Sequence, residues 1–406
     1  MISRVIHIYK TAFEGLSGPI WLLSLVNLIN RSGTMVIPFM SMYITQSMGF
    51  SLESSGTVLL CYGLGSVLGA WVGGRLTDFF GYHKIQFYSL LGGGILFFVL
   101  SAMSTLFTIS IVCILLGLVN EAFRPPNMAA IGVFSTEENR TRCSSLVRLS
   151  VNLGWAFGGG LAGILASQNY KYLFYVDGLT NIFAALVVWF YLPNIQLKNQ
   201  TQKTELKKQR ESIFKDKPFV IFIILKLLFA ISFFQVFSTL PVYLKTVLGL
   251  SEIQIGWTMA LNGLIIALFE MLVVYQLSII RKDLILMSIG TLLLSLSYII
   301  FNIMAGNGLL IAIISTLIFT IAEIIAMPFM LTWWLDRSTD ENRGSYAAWY
   351  TIAFSVAHII GPSTGTYIAA HFGFTILWWS IAFVCVLTSG GYLLLHYFTN
   401  KNKLST

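Results

Sequence analysis

The sequence predicts an all-α integral membrane protein of twelve transmembrane helices, built as two related six-helix halves. Three observations carry this. The 406 residues are 56% hydrophobic and only 10% charged, whereas soluble domains use roughly 25% charged residues. Apolar stretches of about 20 residues recur from end to end, each long enough to cross a ~30 Å hydrocarbon core at 1.5 Å per residue. The two halves also repeat each other at a near-constant shift of 200 to 203 residues.

The first span, 20–43, is too long for a secretory signal and lacks a cleavage-like end, so it reads as a retained helix carrying Arg31 and Pro38. Span two, 53–74, runs into a short polar turn, and span three covers 85–105. Span four, 107–133, holds Glu121, Arg124, Pro125 and Pro126, while span five, 145–166, starts near Arg148 and is rich in glycine. Span six, 172–192, contains Asp177 near one end. The one long polar segment follows, from Pro193 to Pro218, with Lys198, Lys203, Lys207, Lys208, Arg210, Lys215 and Lys217 against Glu205, Glu211 and Asp216. It reads as a basic solvated linker, with docking on anionic headgroups as the alternative. The remaining spans are 219–243, 253–278, 284–304, 308–333, 345–367 and 374–397. The expected organisation is therefore an N-terminal bundle over 1–192, a linker over 193–218 and a C-terminal bundle over 219–406.

With both termini cytoplasmic, nineteen of the twenty-five basic residues fall on the inside and only Lys171 and Lys245 outside. The positive-inside rule then orients the chain as a multi-pass protein of the plasma (inner) membrane. The net charge of +8 is accounted for by this topology, so no nucleic-acid partner is expected. Cys61, Cys113, Cys143 and Cys385 lie in or beside apolar spans without CxxC spacing, and read as small packing residues. Trp257, Trp333, Trp334, Trp349, Trp378 and Trp379 suit interfacial belts. Tyr62, Tyr275 and Asn262, on central helices, are candidate pocket residues.

The internal repeat is ordered. Pro38 matches Pro241, Gly49 and Gly56 match Gly249 and Gly256, Glu121 and Pro126 match Glu323 and Pro328, and Gly158 matches Gly361. Parallel repeats of this kind place a binding site between the halves near the midplane.

The turn after span two reads Gly74-Arg75-Leu76-Thr77-Asp78-Phe79-Phe80-Gly81-Tyr82-His83-Lys84. It resembles motif A of the major facilitator superfamily, keeping Gly74, Asp78, Gly81 and Lys84, with Phe79 and Tyr82 in the places of the family's central arginines. The resemblance implies a cytoplasmic gate at this turn. Gly74 is expected to let helices approach closely, and Asp78 to face the N-terminal end of span eleven near Ser345. Arg124 to Ala130 resembles the family's motif B. Gly154, Gly158 and Gly163 in span five resemble motif C, which implies antiport; a glycine packing face explains the same residues equally well.

Charges inside the membrane cost about 2.5 to 3.5 kcal/mol each on translocon scales, which makes them functional candidates. Arg31, Glu121, Arg124 and Glu323 lie about 16 to 26 Å into their helices by rise per residue. Glu121 and Arg124 share a helix face and are expected to pair or to take part in coupling. A carboxylate at low dielectric exchanges a proton nearer neutrality, and Glu121 is favoured for this because Arg124 offers a competing charge. Lys226 and Glu270 are expected as an interhelical pair. His358 reads as a packed neutral residue, with proton handling as the alternative, and Arg148 as a snorkelling one.

No Walker A pattern, metal-ligand cluster or nucleophile–base spacing occurs. The expectation is a secondary active transporter, not an enzyme, without cofactors and monomeric in the bilayer, with the proton as coupling ion. Its substrate is expected to be a small amphipathic or anionic molecule, exported by alternating access. The alternatives are a proton symporter importing a peptide, sugar or organic anion, and a non-transporting membrane receptor.

Overall fold

The computed structural model of the chain describes residues 15–136, 139–195, 215–279, 282–338 and 343–404. Residues 196–214, the bulk of the expected linker, lie outside the described residues. In order the helices are α1 (Gly18–Ser47), α2 (Leu52–Phe80), α3 (Tyr82–Ser101), α4 (Leu106–Phe134), α5 (Arg140–Gln168), α6 (Lys171–Tyr191), α7 (217–246), α8 (Glu252–Ser278), α9 (Asp283–Ile303) and α10 (Gly308–Arg337). The last helical stretch, Arg343–Leu404, is two helices that meet at Gly373, whose φ of 84° ends α11 and starts α12. Such a φ is open to glycine at little cost. Among the described residues there are thus eleven stretches long and apolar enough to span a bilayer, and the division of the last at Gly373 gives the expected twelve helices.

The residues divide into two compact units. Unit 1 comprises Met1–Val36 and Leu64–Thr201; unit 2 comprises Ile37–Gly63 and Gln202–Thr406. The later part of α1 and residues 52–63 of α2 thus belong with α7–α12.

In unit 1, α1 packs on α5 and α3 on α6, around a core that includes Ile20, Leu23, Val26, Phe123 and Val188. Close helix approach comes from glycines spaced by four. A Cβ on Gly65 or Gly69 would overlap the backbone of Ile114 or Leu118 in α4, and one on Gly73 would sit 2.6 Å from the Cα of Ala122. Small residues at such spacing let backbones touch where lipid gives no hydrophobic drive. The expectation for Gly74 is corrected here: its neighbour is the Pro125 side chain at an ordinary 3.9 Å. One residue further round the helix, about 100°, it lies at the edge of the seam and not in it.

In unit 2, α7 packs on α11, and α9 on α10 and α12. Trp378 is fully buried, stacked on Tyr298 at 5.3 Å between centroids and edge-on to Tyr243. It is a core residue and not part of an interfacial belt; Trp257 and Trp379 remain exposed. Cys113, Cys143 and Cys385 are buried and Cys61 is partly so, all as free thiols.

Repeat-related positions behave alike. Gly49 and Gly249 both take positive φ, 73° and 67°. α1 is interrupted ahead of Pro38 and α7 ahead of Pro241, because a proline can donate no N–H and crowds the carbonyl four residues back.

Candidate functional site

The interruption of α1 defines the site in unit 1. The helix runs Gly18–Ser32 and resumes at Val36. The freed N–H groups are met by α6: the Asp177 carboxylate accepts from Met35 N–H at 2.9 Å and from Val36 N–H at 2.8 Å. Asp177 is completely buried. An acceptor at the start of a helix satisfies donors that have no partner within the helix. A Cβ at Gly33 would overlap Thr180, one turn along α6, so the two helices also touch at the break.

The last turn before the break carries the polar side chains. Asn30 donates to Asn181 of α6 at 2.9 Å. Asn27 and Asn127 of α4 exchange hydrogen bonds at 2.9 and 3.2 Å. Arg31 stands where α5 comes closest: a Cβ on Gly154 would lie 2.6 Å from the Arg31 Cβ, and one on Gly158 would lie 3.0 Å from the Ser32 carbonyl oxygen. Two glycines of the motif C-like run therefore seat α5 against Arg31, and Gly163 is buried further along the same helix.

α4 breaks at Phe123, where Pro125 and Pro126 leave donors missing. Glu121 stands in the last turn of the first segment and Arg124 begins the second. Their closest approach is 3.7 Å, with the arginine side chain 54% and the glutamate 23% exposed. Charge-assisted hydrogen bonds run nearer 2.7–2.9 Å, so attraction here is electrostatic and open to competition.

The motif A-like turn has its own geometry. Gly81 takes a φ of 82°, and Asp78 and Lys84 are exposed. Tyr82, in an arginine position of the family pattern, is buried; its hydroxyl donates to the Pro193 carbonyl at 2.6 Å and accepts from Ile195 N–H at 3.0 Å. It ties α3 to the chain leaving α6. The side chain of Ser345, the expected neighbour of Asp78, lies outside the described residues. Arg148 is exposed, as a snorkelling arginine would be.

In unit 2, Lys226 of α7 is 1% exposed. Its ammonium donates to the Tyr350 carbonyl of α11, and lies 3.0 Å from the Tyr350 ring centroid and 5.1 Å from that of Phe354. Aromatic faces and a carbonyl offset the desolvation of the cation. Glu323 of α10 accepts from Asn262 of α8 at 3.2 Å, and the same amide reaches Thr320 at 3.0 Å. Glu270, two turns along α8, lies within electrostatic range of Glu323. The structure thus brings Glu270 near Glu323 and Lys226 against α11. His358 is packed between Tyr62 and Phe234, with ring centroids at 5.9 and 4.5 Å, so Tyr62 is a packing residue. Tyr275 is largely exposed.

Sequence reading treated Asp177 only as one more charge near a helix end, and did not single out Asn27, Asn30, Asn127 or Asn181. The signal was four asparagines and one aspartate inside apolar spans, where polar groups need partners. Gln235 was missed likewise: at the interruption of α7 its amide donates to the Gly361 carbonyl at 2.9 Å and accepts from the Thr239 hydroxyl at 2.8 Å.

The sequence profile described as Major Facilitator Superfamily matches residues 20–357 and 244–406. The chain is 25% identical over 354 residues to the MFS-type transporter YqjV of Bacillus subtilis, covering 85% of each. It is 23% identical to a Na(+), Li(+), K(+)/H(+) antiporter of Planococcus maritimus, over 93% of this chain and 95% of that one. It is 24% identical to the multidrug resistance protein MdtH of Salmonella paratyphi B, over 80% of each. Among solved structures, a variant of the nucleoside transporter NupG superposes with a TM-score of 0.80 at 13% identity, over 93% of this chain and 100% of that one. The peptide transporter POT in complex with sulfate gives 0.78 at 15% identity over 96% of each chain.

Proposed function

Because this chain belongs to the Major Facilitator Superfamily, we propose that it exports a small amphipathic or anionic molecule by alternating access, driven by inward movement of protons. Membership makes it a membrane transporter and not an enzyme; substrate, direction and coupling are the proposal. One observation carries the coupling: Glu121 and Arg124 face each other at 3.7 Å across the break in α4, both reachable from outside the helix packing. With Glu121 ionised, its loose contact with Arg124 is open to a ligand whose hydrogen-bond donor takes the carboxylate while a polar or acidic group takes the arginine. A proton arriving at Glu121 removes the charge that holds the donor, and the ligand leaves; loss of the proton makes the site available again. Proton and ligand thus compete for one carboxylate, the linkage that exchange of one for the other requires. Arg31, seated by Gly154 and Gly158, adds a second cation to the same unit. The antiporter and multidrug relatives support export.

A second reading draws on Glu323, Asn262 and Glu270. Two carboxylates within range of each other suit exchange of a proton for a monovalent cation, which is the activity named for the Planococcus maritimus relative.

Inside-out membrane vesicles loaded acid inside separate these readings. A pH-gradient dye is followed while organic anions, organic cations, Na+, Li+ or K+ are added singly. Dissipation by an organic solute with its accumulation in the vesicles is the expected result. Dissipation by the metal cations alone selects the second reading, and solute uptake only with the gradient reversed contradicts export.

A further inference from the structure

Within unit 2, residues 52–63 of α2 lie along α11 in a continuous antiparallel seam. A Cβ at Gly63 would come 2.9 Å from the Ile359 side chain, and one at Gly56 would overlap the Thr366 hydroxyl. Tyr62 meets His358 edge-on at 5.9 Å. At the end of the seam, Glu53, in the first turn of α2, faces His371, the Nε2 lying 3.9 Å from the carboxylate. As α2 ascends through 53, 56 and 63, α11 descends through 371, 366 and 359. Thr366, in the middle, is 1% exposed, whereas the His371 and Glu53 side chains are 44% and 55% exposed.

The histidine is set up for protonation to matter. Its Nδ1 lies 3.1 Å from the Tyr367 carbonyl oxygen. A carbonyl can only accept, so Nδ1 carries a hydrogen whenever this bond is made. In the neutral ring the Nε2 atom then presents a lone pair to the Glu53 carboxylate, which repels it. In the imidazolium both nitrogens carry hydrogens, and Nε2–H attracts the carboxylate. The Tyr367 ring, 4.3 Å away between centroids and tilted by 30°, adds a π-face that favours the cation. Apart from tyrosines, the other ionisable residues at this end of unit 2, among those described, are Lys245 in the last turn of α7 and Glu252 in the first turn of α8, which pair with each other at 2.8 Å. Glu53 is therefore the charge that His371 meets.

We propose that Glu53 and His371 form a proton-binding site at the outer end of α2 and α11 that latches the seam shut when the medium outside is acid. Residues 37–63 come from the first six helices and α11 from the last six, so a transporter that opens outward by alternating access must part this seam. The inference rests on that reading, and on the orientation in which α2 starts outside. Protonation of His371 turns repulsion into attraction across the seam and favours its closed form. When the medium outside becomes less acid and the proton leaves, the attraction is lost and outward opening becomes easier. Export would then slow in acid surroundings independently of the coupling carboxylate.

The test uses the full chain in proteoliposomes of known orientation, with its four cysteines replaced and Thr366→Cys introduced as a reporter inside the seam. Reaction with a membrane-impermeant cationic methanethiosulfonate is measured with external pH stepped from 8 to 5.5 at fixed internal pH. Rates are divided by those of Lys171→Cys, which removes the pH dependence of the thiol chemistry. The normalised rate is expected to fall about two- to fivefold in acid, the range of an exposed ion pair, and Glu53→Gln or His371→Gln is expected to abolish the fall. A reporter that reacts but ignores external pH, or that keeps its dependence in Glu53→Gln, overturns the latch and leaves alternating access standing. A reporter unreactive at every pH, beside a reactive Lys171→Cys, overturns both. Thermal melts of each variant show whether it is folded.

Discussion

Asp177 shows how one side chain shapes the site without belonging to it. It accepts two backbone N–H groups where α1 resumes, and so fixes where the helix ends and where Arg31 and Asn30 stand. Removing a buried acceptor leaves those donors without partners, at about 1–3 kcal/mol for such a group. Asp177→Ala is therefore expected to lower the detergent melting temperature by several degrees, and Asp177→Asn, which keeps one acceptor oxygen, by less. Equal melts for the two variants would contradict the capping role. The aspartate itself was visible in the sequence, but its partner was not. The donors lie 142 and 141 residues earlier, at a break whose nearest sequence mark, Pro38, stands a few residues beyond it. By contrast, the Glu121–Arg124 contact was legible, since a spacing of three on one helix brings side chains together.

Between helices, the determining residues are the smallest. Gly65, Gly69 and Gly73 put α2 against the backbone of α4, and Gly74 does not. Gly73→Ala is expected to destabilise the protein while Gly74→Ala melts like the parent, a contrast that thermal unfolding reads directly. Motif matching pointed to Gly74 because the family pattern begins there. Helical spacing of four is the physical criterion, and it selects its neighbour.

Charged ends of helices act at the same scale. Asp216 caps α7 by accepting from Phe219 N–H at 3.3 Å, bonds Arg337 of α10 at 2.6 and 2.7 Å, and accepts from Tyr346 of α11 at 2.7 Å. Burial alone would raise this carboxyl, but the Arg337 and Tyr346 bonds outweigh it and hold it below the ordinary aspartate value. A carboxyl lowered in the folded protein contributes stability above its unfolded value, and that contribution is lost as pH falls through the folded one. Asp216→Asn is expected to be less stable than the parent at pH 7, with the gap between the two closing below about pH 4. A constant gap from pH 7 to pH 3 would show that Asp216 contributes nothing through its charge.

On the scale of the whole chain, the repeat gives the first six and the last six helices one plan and leaves them different chemistry. α1 and α7 are each interrupted, α5 and α11 each press a glycine against the interruption, and Gly49 and Gly249 turn the chain alike. These features rest on glycine and proline, whose backbone effects are local, which is why the twelve helices and their two-fold repetition could be read from sequence. The polar partners differ: Asp177 from α6 caps one break, whereas Gln235 serves the other from within α7. Glu121 meets an arginine, and its counterpart Glu323 an asparagine. Such partners come from distant parts of the chain and were not legible. The repeated frame supports the proposed alternation of access, and on that proposal proton and ligand meet in the unit that holds Arg31 and Arg124.

Central to this account is that one proton and one ligand compete through the Glu121–Arg124 pair. The direct measurement is solute accumulation in inside-out vesicles carrying either the parent chain or Glu121→Gln, each with and without an acid interior, using the solute identified by the dye screen. The parent is expected to accumulate the solute at least tenfold more with the gradient than without it. Glu121→Gln, permanently neutral at that position, is expected to equilibrate the solute only weakly and to lose the stimulation by acid. Full gradient-driven accumulation by Glu121→Gln would contradict the account and move the coupling to another carboxylate.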